Sequence, residues 1–152
     1  MISIDQIKKL REKTSAGIMD SRRALEETKG DEKKAEDLLK KWGIEKAEGK
    51  ADRETKAGII DSYIHAGGKV GVLVELLCET DFVAKTAEFK NLSHELCLQI
   101  ASMDPKDVKT LLSQEYIRDP SSTIEKLVKQ AIGKLGENIT ISRFQRFQLG
   151  EI

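Results

Sequence analysis

The sequence has little cysteine and histidine, the side chains that supply most zinc ligands. Its 152 residues include two cysteines and two histidines, and neither pair has the C-x-x-C or H-x-x-x-H spacing of a zinc site. The glycine-rich signatures of nucleotide-binding loops and the G-x-S-x-G signature of serine hydrolases are also absent. We therefore predict no metal, no cofactor and no enzymatic activity. Cys78 and Cys97 are predicted to be free thiols, and a disulfide between them is the alternative that the sequence leaves open.

The sequence also lacks an excess of charge of either sign and any long hydrophobic run. It has 26 basic and 26 acidic residues and a formal net charge of zero. This balance argues against direct nucleic-acid binding, because such binding needs clustered excess Lys and Arg. No stretch of about 18 uncharged apolar residues is present, so we predict no membrane span. The N-terminus, with Asp5 and Glu12, has no secretory or transit pattern, and we expect a cytoplasmic protein.

Residues 1–44 are predicted to form a bundle of three short helices. Ser3 begins the first helix with a capping box, and apolar residues at three-residue spacing follow it. The second helix is predicted to end at Gly30 in a left-handed conformation, and the third is predicted to stop at Gly43. The pattern alone predicts that the Met19 side chain is buried in the core of this bundle.

The rest of the chain is predicted to form an α+β domain. Residues 45–57 have almost no apolar side chain beyond alanine and predict a charged linker or a helical extension. Two runs rich in Ile, Val and Tyr then flank a glycine turn, which is typical of a β-hairpin, and the second run predicts a central strand. Two amphipathic helices follow, the second beginning with a capping box of Ser122 and Glu125, and an alternating strand ends the chain. Residues 58–152 therefore predict helices packed with a three-stranded antiparallel sheet.

The segment between the central strand and the next helix has two interpretations. It includes Asp81 and Phe82, at a position where a rigid scaffold often presents functional side chains. Asp81 is either a helix N-cap or an acid that contacts a partner. Phe82 is either a core aromatic or a side chain that enters a pocket on a partner. The pattern does not choose between these alternatives.

The C-terminal strand supports an alternative function. Arg143 and Arg146 alternate there with Phe144 and Phe147, and interleaved basic and aromatic residues are typical of RNA-binding surfaces. A small RNA- or ribosome-associated module is therefore the alternative function. A strand whose two faces differ in polarity explains the same pattern at least as well.

Three blocks of the sequence carry a family resemblance. They are LREKTSAGIMDSRRAL at residues 10–25, SYIHAGGKVGVLVELLCETDFVAK at residues 62–85 and KLGENITISRFQRFQLGE at residues 134–151. The first is similar to the signature L-R-x-x-T-x-A-G-x-M-D-x-[KR]-x-A-L, and the second ends in the family's T-D-F-V motif. In this order the blocks resemble translation elongation factor Ts, the bacterial exchange factor for elongation factor Tu.

The resemblance implies a fold, a partner and a set of contact residues. The fold would be a ubiquitin-associated-like three-helix domain followed by an α+β core with a three-stranded antiparallel sheet. The function would be nucleotide exchange on elongation factor Tu, bound in its GDP-bound and nucleotide-free forms, with magnesium and GDP belonging to that partner. The implied contact residues are Arg11, Ile18, Met19, Arg22, His65, Thr80, Asp81, Phe82 and Val83.

The chain differs from the family in length. Long members carry a duplicated core subdomain and an inserted helical hairpin, whereas only residues 104–121 separate the two predicted core helices here. Short members dimerise through their cores. The resemblance therefore implies a homodimer through the core sheet, and an exposed edge of that sheet is a plausible dimer interface.

Overall fold

The computed structural model describes residues 1–151 and has an N-terminal helical region followed by an α+β core, which confirms the predicted fold class. The helical region consists of α1 (Ile4–Thr14), α2 (Ile18–Glu27) and α3 (Glu32–Glu48). The core consists of β1 (Ala57–Ile64), β2 (Val70–Cys78), α4 (Asp81–Ala84), α5 (Ala87–Met103), α6 (Val108–Ser113), β3 (Glu115–Tyr116), β4 (Asp119–Thr123), α7 (Ile124–Leu135) and β5 (Thr140–Gln148). None of the helices in this part of the chain has the length and apolar character needed to cross a membrane.

The three N-terminal helices enclose one small apolar cluster. The predicted capping box is present, because the Ser3 hydroxyl accepts from the Gln6 N–H at 3.1 Å and the Gln6 side chain accepts from the Ser3 N–H at 2.9 Å. Gly30 has the predicted left-handed conformation, with φ 84°. The side chains buried between the helices are Leu10, Ala24, Leu25, Ala35 and Leu39.

The third helix is longer than predicted. α3 passes through Gly43 and ends at Glu48, so the prediction that it stops at Gly43 is wrong. The reason is a tertiary contact: a Cβ added to Gly133 of α7 would lie 2.6 Å from the Gly43 Cα. The two glycines therefore allow α3 and α7 to cross at close range. Beyond this crossing, Ala47 is buried in the main core, so the end of α3 packs with the α+β part.

β2 is the central strand of a three-stranded antiparallel sheet, as predicted. The strand order is β1–β2–β5, and β1 pairs with β2 from Ala57 opposite Cys78 to Ile64 opposite Gly71. Alternate side chains of β2 face the helices and are buried, as expected for a strand with a period of two residues. These side chains are Val72, Val74, Leu76 and Cys78.

Helix α5 packs along β1 and β2, and α7 packs against α5 and α3. α5 begins at its N-cap Thr86, whose hydroxyl accepts from the Phe89 N–H at 3.2 Å. The main apolar side chains that these two helices bury are Phe89, Leu92, Leu96, Cys97, Ile100, Ile124, Val128 and Ile132. The core thus lies on one face of the sheet.

The segment between α5 and α7 contains a short helix and a two-stranded hairpin. The fully buried Gln99 of α5 holds this hairpin, because its Nε2 donates to the Glu115 carbonyl oxygen at 3.0 Å. The predicted capping box of Ser122 and Glu125 is wrong. Thr123 pairs with Glu115 as the last residue of β4 and is itself the N-cap of α7, so the helix begins one residue later.

Candidate functional site

The turn between β2 and α5 presents an aromatic side chain to solvent. Phe82 is 82% exposed and Asp81 is exposed beside it, whereas Val83 and Ala84 are buried beneath them. The interpretation of Phe82 as a core aromatic is therefore wrong. Full burial of a phenylalanine contributes about 1.5–3 kcal/mol to folding, and the fold forgoes this stabilisation at Phe82. The turn thus presents this aromatic side chain at the surface, where a partner could reach it.

This turn is the single-turn helix α4, and Thr80 is its N-cap. The Thr80 hydroxyl accepts from the Val83 N–H at 3.3 Å, and Asp81 follows as the first helical residue. The interpretation of Asp81 as the N-cap is therefore wrong, and its carboxylate remains exposed. Val83, which the resemblance implied as a contact, is only 5% exposed, so it anchors the turn in the core and is not available at the surface.

Glu137 holds the start of this turn, although the sequence pattern alone does not identify it. Its Oε1 accepts from the Glu79 N–H at 3.1 Å and from the Thr80 N–H at 3.0 Å. Its Oε2 accepts from the Thr80 hydroxyl at 2.7 Å. Glu137 is distant from the turn in sequence and belongs to the loop after α7, so no periodic pattern links the two. The only available signal was its position in the third block of the family resemblance.

A second group of exposed side chains lies on the helical bundle. Ile18 and Met19 begin α2 and are 55% and 73% exposed, so the prediction of Met19 as a core methionine is wrong. The exposed Arg11 of α1 donates from Nε to a carbonyl oxygen of the loop before α2 at 3.2 Å. Arg22 forms an exposed ion pair with Glu26 at 3.0 Å. Such exposed pairs contribute little to stability, so the Arg22 guanidinium can exchange partners at small cost.

His65 lies apart from both groups, at the end of β1. It is exposed, and its Nδ1 is 3.0 Å from the Tyr63 hydroxyl. Among the hydrogen bonds and ion pairs of residues 1–151, none joins His65 to the Phe82 turn or to the bundle group. The structure thus places the implied contact residues in two groups, one on α1 and α2 and one at α4 and its N-cap Thr80, and it leaves His65 apart at the end of β1.

The face of the sheet opposite α5 carries exposed apolar side chains. Ile60, Ile64, Leu73 and Phe147 are 65%, 65%, 50% and 69% exposed, and we call them the outer sheet face. In the strand register, Gly71 lies between Ile64 and Phe147, so no side chain of β2 separates these two. Several exposed apolar side chains on one face of a sheet are typical of an interaction surface.

The C-terminal strand does not present its Arg and Phe residues on one surface. Arg146 and Phe144 lie on the core side, where the Arg146 guanidinium donates to the Ala101 carbonyl oxygen at 3.2 Å. Arg143 and Phe147 lie on the opposite side, and Arg143 pairs with a glutamate of β2 at 3.3 Å. This arrangement favours the strand with two different faces over an RNA-binding platform.

The two cysteines are buried free thiols. Burial, with a smaller effect of Asp61, raises the pKa of Cys97 to about 12. Burial and the Glu137 carboxylate raise the pKa of Cys78. Because the thiolate is the nucleophilic form, neither side chain is suited to covalent catalysis. In the described part of the chain, no group of three His, Cys, Asp or Glu side chains could hold a metal ion.

Comparison with known proteins gives one consistent result. The family model described as "Elongation factor TS" matches residues 79–152. Elongation factor Ts of Thermoanaerobacter sp. (strain X514) is 42% identical over 196 positions, which cover 99% of this chain and 96% of that protein. The Caldanaerobacter subterraneus subsp. tengcongensis protein of the same name is 41% identical, with 99% and 98% covered. Since these alignments span 196 positions and this chain has 152 residues, the relatives contain more than 40 positions without a counterpart here.

Proposed function

Because this chain belongs to the elongation factor Ts family, we propose that it is a guanine nucleotide exchange factor for elongation factor Tu in the cytoplasm. It binds the GDP-bound and the nucleotide-free forms of that GTPase and promotes GDP release during translation elongation. The observation that supports this proposal most directly is the 82% exposure of Phe82 on a turn whose backbone is fixed by Thr80 and Glu137.

Exchange of this kind requires no covalent chemistry from the chain. The factor binds the nucleotide-free GTPase more tightly than the nucleotide-bound form. Thermodynamic linkage then requires that the factor weaken nucleotide binding by the same ratio. Buried, unreactive thiols and the lack of a metal-binding cluster in residues 1–151 are compatible with such a binding function.

Phe82 and Asp81 form the main contact of the proposed complex. Phe82 enters an apolar pocket of the GTPase domain and shifts a helix there, while Asp81 displaces a neighbouring element. The magnesium and phosphate contacts of GDP are weakened as a result. Thr80 belongs to the same turn, but its amide and hydroxyl already donate to Glu137. Thr80 therefore stabilises the turn that carries Asp81 and Phe82.

The helical bundle makes a second contact in this proposal. Ile18 and Met19 supply exposed apolar surface at the start of α2, and Arg11 and Arg22 supply cationic side chains beside it. His65, at the start of the β1–β2 turn, contacts another domain of the partner in this proposal.

Two copies of the chain are proposed to form a homodimer through the core sheet. The exposed side chains of the outer sheet face favour a contact between two faces over a contact along a sheet edge. Two sheets packed face to face lie about 10 Å apart, with their side chains interleaved. Such packing would remove Ile60, Ile64, Leu73 and Phe147 from water.

Release of labelled GDP from elongation factor Tu tests the proposed function. Phe82→Ala should slow the stimulated release by about 5–150-fold, which corresponds to about 1–3 kcal/mol of coupling energy. The melting temperature should change little, because Phe82 contributes little buried area. Met103→Ala is the matched control, since Met103 is an apolar side chain that is 50% exposed at the end of α5. Unchanged release by Phe82→Ala, or a large loss of thermal stability with full activity, would contradict the proposal.

A further inference from the structure

We propose that Glu137 is a positioning residue that holds Asp81 and Phe82 in the orientation required by the GTPase. This inference rests on the proposed function, because it concerns the same turn. Glu137 does not meet the partner itself. It acts through the backbone of the two residues that precede Asp81.

One carboxylate accounts for three hydrogen bonds at the start of the turn. Oε1 accepts from the Glu79 and Thr80 N–H groups at 3.1 and 3.0 Å, and Oε2 accepts from the Thr80 hydroxyl at 2.7 Å. Hydrogen bonds to an ionised acceptor are roughly twice as strong as neutral ones. Among residues 1–151, Glu137 forms no ion pair with a Lys or Arg, so no cation competes with the turn for its carboxylate oxygens.

The hydrogen bonds of Thr80 transmit this constraint into α4. The Thr80 hydroxyl, which donates to Glu137, also accepts from the Val83 N–H at 3.3 Å. The Thr80 carbonyl oxygen accepts from the Ala84 N–H at 3.2 Å and from the Cys78 thiol at 3.2 Å. Every polar group of Thr80 is therefore fixed, and Asp81 and Phe82 follow it directly.

A helix of one turn depends on such anchors for its orientation. Isolated helices shorter than about 12 residues are marginal in water, and α4 has four residues. Val83 and Ala84 attach its inner side to the core. Glu137 fixes its first residues, so the direction in which Phe82 projects depends on both attachments.

Glu137 is itself well placed to act as an anchor. Gly136 ends α7 in a left-handed conformation with φ 75° and directs the chain toward the turn. The buried Asn138 follows, and its Nδ2 donates to the Arg53 carbonyl oxygen at 2.8 Å. Glu137 therefore lies between two fixed residues and has little freedom of its own.

A double-mutant cycle separates positioning from general stabilisation. The variants are Glu137→Ala, Phe82→Ala and the double variant, assayed by labelled GDP release below the onset of melting. Glu137→Ala should slow stimulated release at least about fivefold alone and less than about twofold in the Phe82→Ala background, because interacting sites are not additive. Glu54→Ala is the control, since Glu54 is 75% exposed and pairs only with the equally exposed Lys56.

Two further measurements distinguish a loss of positioning from a general folding defect in Glu137→Ala. Glu137→Gln keeps one acceptor oxygen for the Glu79 and Thr80 N–H groups and should retain more activity than Glu137→Ala. Native-state hydrogen exchange, which needs no partner, should show faster exchange of the Glu79 and Thr80 amides in Glu137→Ala and unchanged exchange in Glu54→Ala.

The possible failures are distinguishable. If Phe82→Ala slows release but Glu137→Ala does not, the positioning role is wrong and the proposed function stands. If the two effects multiply in the double variant, Glu137 acts independently of Phe82 and the proposed positioning of Phe82 is wrong. If Phe82→Ala leaves release unchanged, the proposed site fails and the positioning role fails with it.

Discussion

Replacing Gly133 with alanine tests how closely the helical bundle is attached to the core. A Cβ at this position would lie 2.6 Å from both the Cα and the carbonyl oxygen of Gly43, and 2.9 Å from the Gly43 carbonyl carbon. These are backbone atoms of α3, so they cannot rotate away as a flexible side chain could. The substitution can be accommodated only if α3 and α7 move apart.

The expected loss of stability follows from two opposing effects. Alanine favours a helix over glycine by about 1 kcal/mol, so local propensity alone predicts that Gly133→Ala is stabilising. Overpacking costs about 1–3 kcal/mol even when side chains can adjust, and here two helices must separate. We expect a net loss of about 1–2 kcal/mol, which lowers the melting temperature by about 2–8 °C in a chain of this size.

Gly43→Ala is the matched control for this experiment. Gly43 also lies within a helix, but a Cβ added there has no neighbour within 4 Å. Only the propensity effect remains, so Gly43→Ala should stabilise the protein by about 0.5–1 kcal/mol. Thermal and urea denaturation followed by far-ultraviolet circular dichroism would give both values. A Gly133→Ala variant as stable as Gly43→Ala would refute the close crossing of α3 and α7.

Three further predictions concern the surface and the thiols. Asp81→Ala should slow labelled GDP release from elongation factor Tu while leaving the melting temperature unchanged, and normal release would exclude a role for Asp81. Leu73→Lys and Phe147→Glu should each shift the proposed dimer to monomer in sedimentation velocity, and a wild-type monomer would disprove the dimer. Because burial raises the pKa of Cys97 from 9.0 to about 12, its neutral thiol stabilises the fold below pH 9, and this stabilisation is lost as the pH rises toward 12. Urea midpoints should therefore fall less steeply above pH 9 in Cys97→Ala than in wild type, and parallel slopes would contradict this.

Local sequence signals predict the beginning or end of a helix correctly where the hydrogen bonds that cap the helix come from residues nearby in the sequence. The Ser3 capping box and the left-handed Gly30 depend on hydrogen bonds within a few residues, and both are present. Gly43 has the same local signature of a helix end, yet α3 continues for five residues beyond it. A glycine that allows two helices to cross closely cannot be distinguished in one sequence from a glycine that ends a helix in a left-handed conformation. At Gly43 the distinction depends on the packing of Gly133, which is 90 positions away.

The exposure of Phe82 was beyond the reach of pattern analysis for a similar reason. Periodicity identifies the buried side of a helix only over several turns, and α4 has one. Asp81 and Phe82 project outward while Val83 and Ala84 project inward, an arrangement that four residues cannot reveal on their own. Glu137 was less predictable still, since its hydrogen bonds join residues 57 and 58 positions apart.

The segment that follows α7 connects the two regions for which we propose partner contacts. Glu137 fixes the Phe82 turn, while Asn138 donates to the Arg53 carbonyl oxygen at 2.8 Å in the connection that follows α3. Arg53 in turn pairs with Glu79 at 3.7 Å. Together with the α3–α7 crossing, these contacts fix the bundle relative to the turn before any partner arrives. In the proposed complex, binding then needs little ordering of either region, so more of the contact energy is left to weaken nucleotide binding.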